Sequence, residues 1–181
     1  MQKRIILDKE LLKITINRLC QELIENHNDF ENSVLIGIQP KGIYLANLIK
    51  ASLQETLGKE IQMGYLDVTF FRDDFRRRST PIKANTTDVP FLIEGKRVIF
   101  IDDVLFTGRS IRAALDAMNA FGRPAQVELL TLVDRKYTRE LPIQADYIGT
   151  QINSMLSQEV VVDWEGVNGK EENNVWLLNH K

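Results

Sequence analysis

The chain has 181 residues, of which 44% are hydrophobic and 27% charged, a size and composition typical of one domain with a substantial core. Its formal net charge of −2 argues against a general polyanion-binding protein, so any contact with nucleic acid requires a local basic patch. The single cysteine, Cys20, excludes an internal disulfide and a cysteine-based metal site. Since the sequence contains neither a signal peptide nor an apolar run of about 20 residues, we expect one cytoplasmic domain over residues 1–181 and no membrane partner.

The first predicted elements are a helix, a buried strand and a second helix. Asp8 can cap a first helix that runs to about His27, because apolar residues recur there at helical spacing. We expect Cys20 on the apolar face of this helix and His27 at the surface. A short buried strand follows over Ser33–Ile38, and a second helix occupies residues 43 to about 57.

The loop before the second helix, Gln39-Pro40-Lys41-Gly42, has the features of an anion site. Gly42 lets the backbone approach a ligand closely, and Lys41 places a cation beside the free N–H groups of a helix N-terminus. Many loops between a strand and a helix look like this, so the loop alone is weak evidence.

A long polar segment follows the next predicted strand. Residues 62–71 alternate as a strand, and a cationic stretch from Arg72 to about Pro90 then contains no convincing element. Loops of this length inside a compact domain are commonly lids or disordered, and a run of arginines is commonly only solvated.

The most informative stretch is residues 98–110. Its first four residues predict a strand buried on both faces, and Asp102 and Asp103 follow at the carboxyl end, where parallel sheets bind ligands. Thr107-Gly108-Arg109-Ser110 then leads into a helical pattern that begins near Ile111. The N–H groups and hydroxyls of such a turn bind an anion, and nearby carboxylates accept from vicinal hydroxyls or help hold a divalent cation. The stretch therefore predicts a site for a phosphate beside a diol, as in a ribose 5-phosphate.

The remaining elements alternate in the way that predicts a parallel sheet. The helix is expected to continue to Phe121, where Gly122-Arg123-Pro124 stops it. Residues 127–133 predict a buried strand that ends in Asp134 and Arg135. Further strands are predicted just after residues 139–149, at 159–164 and at 175–178, the last two as a hairpin.

The stretch at 98–110 resembles the 5-phosphoribosyl-1-pyrophosphate (PRPP) signature of type I phosphoribosyltransferases, in which an apolar run, two acidic residues and Thr-Gly-x-Ser/Thr follow one another. The resemblance implies an α/β fold: a parallel twisted sheet flanked by helices, with a small hood and a flexible lid loop. It also implies that the lid, over residues 72–80, closes on PRPP and that Arg72 helps to neutralise phosphate charge.

The same resemblance assigns the other candidate site residues. Asp102 and Asp103 are expected to bind the ribose hydroxyls and to serve as the metal ligands for Mg²⁺, the expected cofactor. The pyrophosphate loop is expected to comprise Pro40, Lys41 and Gly42. The loop for the 5-phosphate is expected to comprise Val104, Leu105, Phe106, Thr107, Gly108, Arg109 and Ser110.

Over nearly the whole chain, the elements resemble more closely the pyrimidine-operon attenuators that are also uracil phosphoribosyltransferases. The resemblance rests on residues 37–46, 71–74 and 102–109, and on 133–135 and 139–149, which other phosphoribosyltransferases do not share closely. It implies the reaction of uracil with PRPP to give UMP and pyrophosphate. Asp134 and Arg135 are expected at the base end, and the backbone near residues 152–157 is expected to read the uracil edge. A hypoxanthine/guanine-type enzyme is the nearest alternative.

In those attenuators a basic face of a dimer contacts a stem-loop of the nascent transcript. The resemblance therefore implies a homodimer or higher homo-oligomer that binds pyrimidine-operon leader mRNA in response to UMP. Lys13 and Arg18 remain as cations for this contact, whereas Ile14 and Gln21 are not basic. Three interpretations stay open: an enzyme that also regulates through RNA, an enzyme alone, and a nucleotide-sensing RNA-binding protein without useful catalysis.

Overall fold

The computed structural model describes residues 2–73, 85–155 and 157–179. The described part contains eight strands and three α-helices. In chain order they are β1 (Gln2–Leu7), α1 (Lys9–His27), β2 (Ser33–Ile38), α2 (Gly42–Leu57), β3 (Met63–Leu66), β4 (Arg97–Leu105), α3 (Arg109–Met118), β5 (Gln126–Lys136), β6 (Tyr147–Asn153), β7 (Gln158–Asp163) and β8 (Asn174–Asn179). None of the helices in these three stretches is long and apolar enough to cross a membrane.

Five of the strands form a parallel sheet in the order β3-β2-β4-β5-β6. Alternate residues of the central strands point into two separate apolar layers. Leu35 and Ile99 pack with the apolar faces of α1 and α2, whereas Val34 and Phe100 pack with α3. Because both faces of the sheet are covered, its strands are apolar without alternation, and their carboxyl ends meet at one edge.

The other three strands form a small antiparallel sheet, in the order β1-β8-β7, which we call the hood. The predicted hairpin at the end of the chain is present as β7 and β8. Strand β1 was not predicted from the sequence, and its first four residues are exposed. Because β1 pairs with β8, at the opposite end of the chain, no local sequence pattern predicts β1.

Two of the differences from the predicted element boundaries affect the position of the site. The strand expected at 62–71 ends at Leu66, because the Asp67 carboxylate accepts from the backbone N–H of Thr69 at 3.0 Å and from its hydroxyl, which turns the chain. Conversely, β4 continues beyond Ile101 to Leu105, because β5 pairs with it as far as Asp134. The two aspartates of the signature therefore lie within the last residues of a strand.

The N-terminal helix is close to its prediction, with one correction. The Asp8 carboxylate accepts from the N–H of Leu11 and caps α1, and Cys20 is buried. The expectation that His27 lies at the surface is wrong, because its ring is buried at the end of α1. There it contacts Ser33 Oγ at 2.8 Å and Glu128 Oε2 at 2.7 Å. Burial lowers the pKa of His27, and Glu128 partly opposes that shift.

Candidate active site at the carboxyl edge of the sheet

A cavity of about 560 Å³ lies at the carboxyl ends of β2, β4 and β5. It is lined on one side by Pro40 and Lys41, in the middle by Asp102 and Asp103, and on the other side by the start of α3. The full lining also includes Ile38, Gln39, Val68, Thr69, Arg72, Asn85, Val104, Leu105, Phe106, Thr107, Gly108, Arg109, Ser110, Ile111, Arg135, Glu159 and Val160. Most of the predicted site residues are thus brought together around one space.

Residues 105–110, which join the end of β4 to the start of α3, have the features of an anion site. Gly108 has φ +90°, a conformation that other residues rarely adopt, and α3 begins directly after it at Arg109. The N-cap residue, Gly108, has no side chain to cap this helix, and the Arg109 N–H donates to Thr107 Oγ1 at 3.4 Å. The first turn of α3 lies at the edge of the cavity, where helix N-terminal N–H groups favour an anion. Arg72 donates from Nη1 to Ser110 Oγ at 2.8 Å, which places a cation beside the same loop.

The two aspartates of the signature interact with each other and with nearby cations. Asp103 is buried and donates its backbone N–H to Asp102 Oδ1 at 3.0 Å. Burial and the neighbouring Asp103 charge raise the pKa of Asp102 well above its usual range, against the opposing effects of two nearby cations, Arg72 and Lys41. Burial also raises the pKa of Asp103, and Lys41 opposes that shift. Ligand hydroxyls or a cation would relieve the cost of ionising this pair.

The residues of the predicted pyrophosphate loop lie in different environments. Pro40, which follows a cis peptide bond, and Lys41 line the cavity, and the Lys41 side chain is exposed. Gly42 is buried outside the lining. A Cβ at Gly42 would lie 2.4 Å from the carbonyl oxygen of Ile101. The close approach that requires glycine here is therefore to the backbone of β4, and it brings the start of α2 against the signature strand.

The two residues expected at the base end lie in different places. Arg135 lines the cavity, with its guanidinium carbon 4.0 Å from the centroid of the Phe106 ring. It donates to Ser154 Oγ at 2.8 Å and to the carbonyls of Met155 and Gln158 at 3.0 and 2.8 Å. Arg135 therefore joins the chain after β6 to the signature loop.

Asp134 is buried and is absent from the lining of the cavity. Its carboxylate pairs with Arg139, and Gln151 Nε2 lies 3.4 Å from its other oxygen. Glu159 and Val160, which reach the cavity from the hood, were not predicted from the sequence as site residues. Nothing near them in the sequence marks them, because the hood approaches the cavity only in the folded chain.

The lid prediction falls mostly outside the described residues, which resume after Asp73 only at Asn85. Asp67, which the sequence analysis did not single out, holds both flanks of this gap. Its carboxylate accepts from the Thr69 N–H at 3.0 Å and from the Asn85 N–H at 2.8 Å. In addition, Gln39, which directly precedes the predicted pyrophosphate loop, donates to the Thr86 carbonyl. The flanks of the segment are thereby attached to the cavity wall.

The two cations considered for RNA differ in their availability. Lys13 is exposed on α1. Arg18 forms an ion pair with Glu22 and donates to the carbonyls of Ile148 and Gly149 at 3.0 and 2.7 Å. Because β6 is an edge strand of the sheet, Arg18 satisfies carbonyls that would otherwise be open.

A metal site built only from protein ligands is absent from residues 2–73, 85–155 and 157–179, where no three acidic, histidine or cysteine side chains cluster suitably. Two adjacent carboxylates are nevertheless a suitable donor set for Mg²⁺, which usually takes one or two carboxylates and completes its shell with water and substrate phosphates. Asp102 and Asp103 therefore fit a metal that arrives with a phosphorylated substrate.

Comparison with known proteins places this geometry in a family. Residues 3–166 match the family model described as the phosphoribosyl transferase domain. A protein from Streptococcus uberis called "Bifunctional protein PyrR" is 46% identical over 94% of this chain and 95% of its own length. A protein of the same name from Geobacter sulfurreducens is 42% identical over 91% of this chain and 92% of its own length.

Solved structures support the fold alone. A hypoxanthine phosphoribosyltransferase of Trypanosoma cruzi has a TM-score of 0.73 at 17% identity, covering 97% of this chain and 91% of its own. A hypoxanthine-guanine phosphoribosyltransferase of Bacillus anthracis has a TM-score of 0.69 at 18% identity, covering 98% of this chain and all of its own. The predicted α/β phosphoribosyltransferase fold is confirmed, and, with relatives above 40% identity along almost its entire length, the chain belongs to the PyrR family of phosphoribosyltransferases.

Proposed function

We propose that the chain transfers the 5-phosphoribosyl group of PRPP to uracil, giving UMP and pyrophosphate, and that UMP controls its binding to pyrimidine-operon leader mRNA. The observation that carries this proposal is the identity of 42 to 46% with proteins called bifunctional PyrR over more than nine-tenths of the chain. The unit that acts is proposed to be the single domain of residues 1–181, assembled as a homodimer or higher homo-oligomer.

We propose a different part of the cavity for each part of PRPP. Residues 104–110, at the end of β4 and the start of α3, are proposed to hold the 5-phosphate through N–H groups and the hydroxyls of Thr107 and Ser110. Asp102 and Asp103 accept from the ribose hydroxyls. On the opposite side, the loop of Pro40, Lys41 and Gly42 receives the pyrophosphate, with the Lys41 cation beside it. This order matches the order of groups along PRPP.

The reaction depends on position and charge. Breaking the bond between ribose C1 and pyrophosphate gives an oxocarbenium-like transition state, in which the leaving group gains negative charge. Lys41 neutralises that charge, Arg72 neutralises phosphate charge beside Ser110, and the cavity holds the base against C1 without a covalent nucleophile. Asp102 and Asp103 would hold an Mg²⁺ ion that arrives with PRPP, and that ion would supply further charge neutralisation.

The base end is proposed to lie between Phe106, Arg135 and the hood residues Glu159 and Val160. Arg135 holds the chain around Ser154, whose backbone faces the uracil edge in this proposal. Asp134 contributes from a buried position, through Arg139. The solved hypoxanthine enzymes share only the fold, at 17 and 18% identity, so they do not favour a purine.

An assay of UMP formation with competing acceptors tests the enzymatic proposal. Uracil, hypoxanthine and orotate are offered together with PRPP and Mg²⁺, and the nucleotide products are separated and quantified. We expect UMP as the main product, with omission of Mg²⁺ reducing the rate strongly. IMP or orotidylate as the main product, or no nucleotide at all, would contradict the proposal.

One observation favours a second candidate, an enzyme in which RNA binding is altered. Arg18 is engaged by Glu22 and by two carbonyls of β6, so it offers less free positive charge for phosphates than its sequence position suggests. Filter binding of a pyrimidine-operon leader RNA, with and without UMP and across a salt series, separates the two candidates. UMP-dependent binding that weakens with salt supports the regulator, and no UMP-dependent binding supports the enzyme alone.

A further inference from the structure

We propose that residues 138–143, which follow β5 and which we call the brace segment, set the conformation of the 5-phosphate loop through Arg139. This inference rests on the proposed phosphoribosyl site and assigns it a positioning residue outside the signature. Arg139 lines no part of the cavity, and the brace segment lies more than 30 residues after the loop that it contacts.

The Arg139 guanidinium joins a buried carboxylate to the backbone of the loop. Nη1 donates to the carbonyl of Leu105 at 3.1 Å and to that of Phe106. Nη2 pairs with the buried carboxylate of Asp134. Because the planar guanidinium has donors in fixed directions, it holds the two carbonyls in one orientation relative to β5.

Arg139 is also held to its own segment. Its Nε donates to the carbonyl of Ile143 at 3.0 Å, which folds residues 139–143 into a compact turn. The neighbouring Thr138 hydroxyl donates to the Arg135 carbonyl at 2.9 Å, so the turn begins at a fixed point on β5. Hydrogen bonds therefore attach the brace segment to β5 and hold its own turn together.

The backbone of the brace segment contacts the next residue of the loop. The N–H groups of Glu140 and Leu141 both donate to the Thr107 carbonyl, at 3.0 and 3.2 Å. With the contacts of Arg139, three successive carbonyls of the loop, from Leu105 to Thr107, are turned toward the brace segment. The brace segment therefore fixes the backbone orientation of the residues directly before Gly108 and the start of α3.

The side chains of the brace segment close the same loop from outside. A Cβ placed on Gly108 would lie 3.3 Å from Ile143, so the left-handed residue of the loop packs directly against it. Glu140 pairs with the Arg109 guanidinium at 2.6 and 2.7 Å, and Asp73 pairs with its other end. These carboxylates hold the Arg109 side chain, and the Arg109 backbone N–H donates to Thr107 Oγ1 at 3.4 Å.

If the brace segment positions the loop, its loss should weaken contact with the phosphate. Ribose 5-phosphate is a suitable probe, because it occupies a phosphoribosyl site whatever the base. The test compares Arg139→Lys, which keeps a positive charge beside Asp134, with Asp134→Asn plus Arg139→Met, which removes both charges together. The second variant avoids a buried unpaired carboxylate, which by itself could prevent folding. The matched control is Arg123→Met, at an exposed arginine that follows α3.

We expect each brace variant to bind ribose 5-phosphate about tenfold more weakly by calorimetry, since charge-assisted hydrogen bonds to the loop are lost. The KM for PRPP should rise in proportion, while Arg123→Met behaves as the wild type. Hydrogen exchange of the N–H groups of residues 107–110 should be faster in both brace variants, a change that general loss of stability would spread over β2 and β5 as well.

Equal binding of ribose 5-phosphate by the wild type and both variants, with unchanged exchange at residues 107–110, would overturn the role of the brace segment alone. Failure of the wild type to form UMP while it still binds ribose 5-phosphate would overturn the uracil proposal and leave the brace segment intact. No binding by the wild type would overturn both, because no phosphate site would then exist at this loop.

Discussion

The two ends of the cavity are built in different ways. The phosphate end is one continuous strand, loop and helix, from Arg97–Leu105 to Arg109–Met118. The base end is assembled around Arg135, which contacts residues 19 to 23 positions away in the chain and stacks on Phe106 of the signature loop. Under the proposed assignment of the site, sugar-phosphate recognition therefore resides in a local motif, whereas base recognition depends on how β5, β6 and the hood pack together.

The largest effect is expected at the shared centre of the two ends. Asp102→Asn with Asp103→Asn should reduce PRPP-dependent UMP formation by at least about a thousandfold, because charge stabilisation at the reacting sugar is lost. The fold should remain intact by circular dichroism. Asp116→Asn, at an exposed position on α3, serves as the control and should keep full activity. Wild-type turnover by the double variant would contradict the assignment of the site.

A smaller, one-sided effect is expected at the base end. Arg135→Met removes three hydrogen bonds and the contact with Phe106, so the KM for uracil should rise by about tenfold or more. The KM for PRPP should change by less than about twofold. Initial rates with each substrate varied in turn measure both values, and Arg4→Met on the exposed part of β1 is the control. An equal rise in the KM for PRPP would show that the two ends are not independent.

The smallest effect concerns stability without ligand. The pKa of Asp102 is raised in the folded chain, so the folded state holds its proton more tightly than the unfolded chain does. Above that raised pKa the ionised carboxylate costs stability, and below the ordinary value of 3.8 the cost vanishes. Asp102→Asn should therefore raise Tm at neutral pH, by about 2–4 °C for each kcal/mol regained.

This gain in Tm should shrink as the pH falls toward 3.8, because the wild-type carboxyl becomes protonated in both states. Differential scanning calorimetry across that pH range measures it. Asp116→Asn is again the control, since it should show no gain at neutral pH. A Tm that falls in Asp102→Asn at neutral pH would mean that the nearby cations outweigh burial.

Several features of the fold and site were predictable because their physical causes are local. Apolar runs predicted β2 and the core of β4, Asp8 predicted the start of α1, and Thr107-Gly108 predicted the start of a helix with open N–H groups. The side chain or the steric preference responsible lies within a few residues of its effect in each case. The phosphoribosyltransferase fold could be predicted because the features that identify it are local in the sequence.

Other features depended on partners far away in the chain. Arg18 and Asp134 were expected to contact ligands, yet Arg18 binds carbonyls of β6 and Asp134 pairs with Arg139. His27 was expected in solvent and is buried against Glu128. A charged residue looks the same in a sequence whether it faces solvent or an opposite charge, so only the packing decides its role.

The sequence by itself determined the phosphoribosyl signature at residues 98–110, because strand, carboxylates, glycine turn and helix start all follow one another along the chain. Tertiary structure alone decided where the two aspartates meet Lys41, how Arg135 joins the base end, and that residues 138–143 contact the loop at residues 105–108. The reason is physical: a parallel sheet places the carboxyl ends of distant strands at one edge, and the contacts made there leave no trace in local spacing.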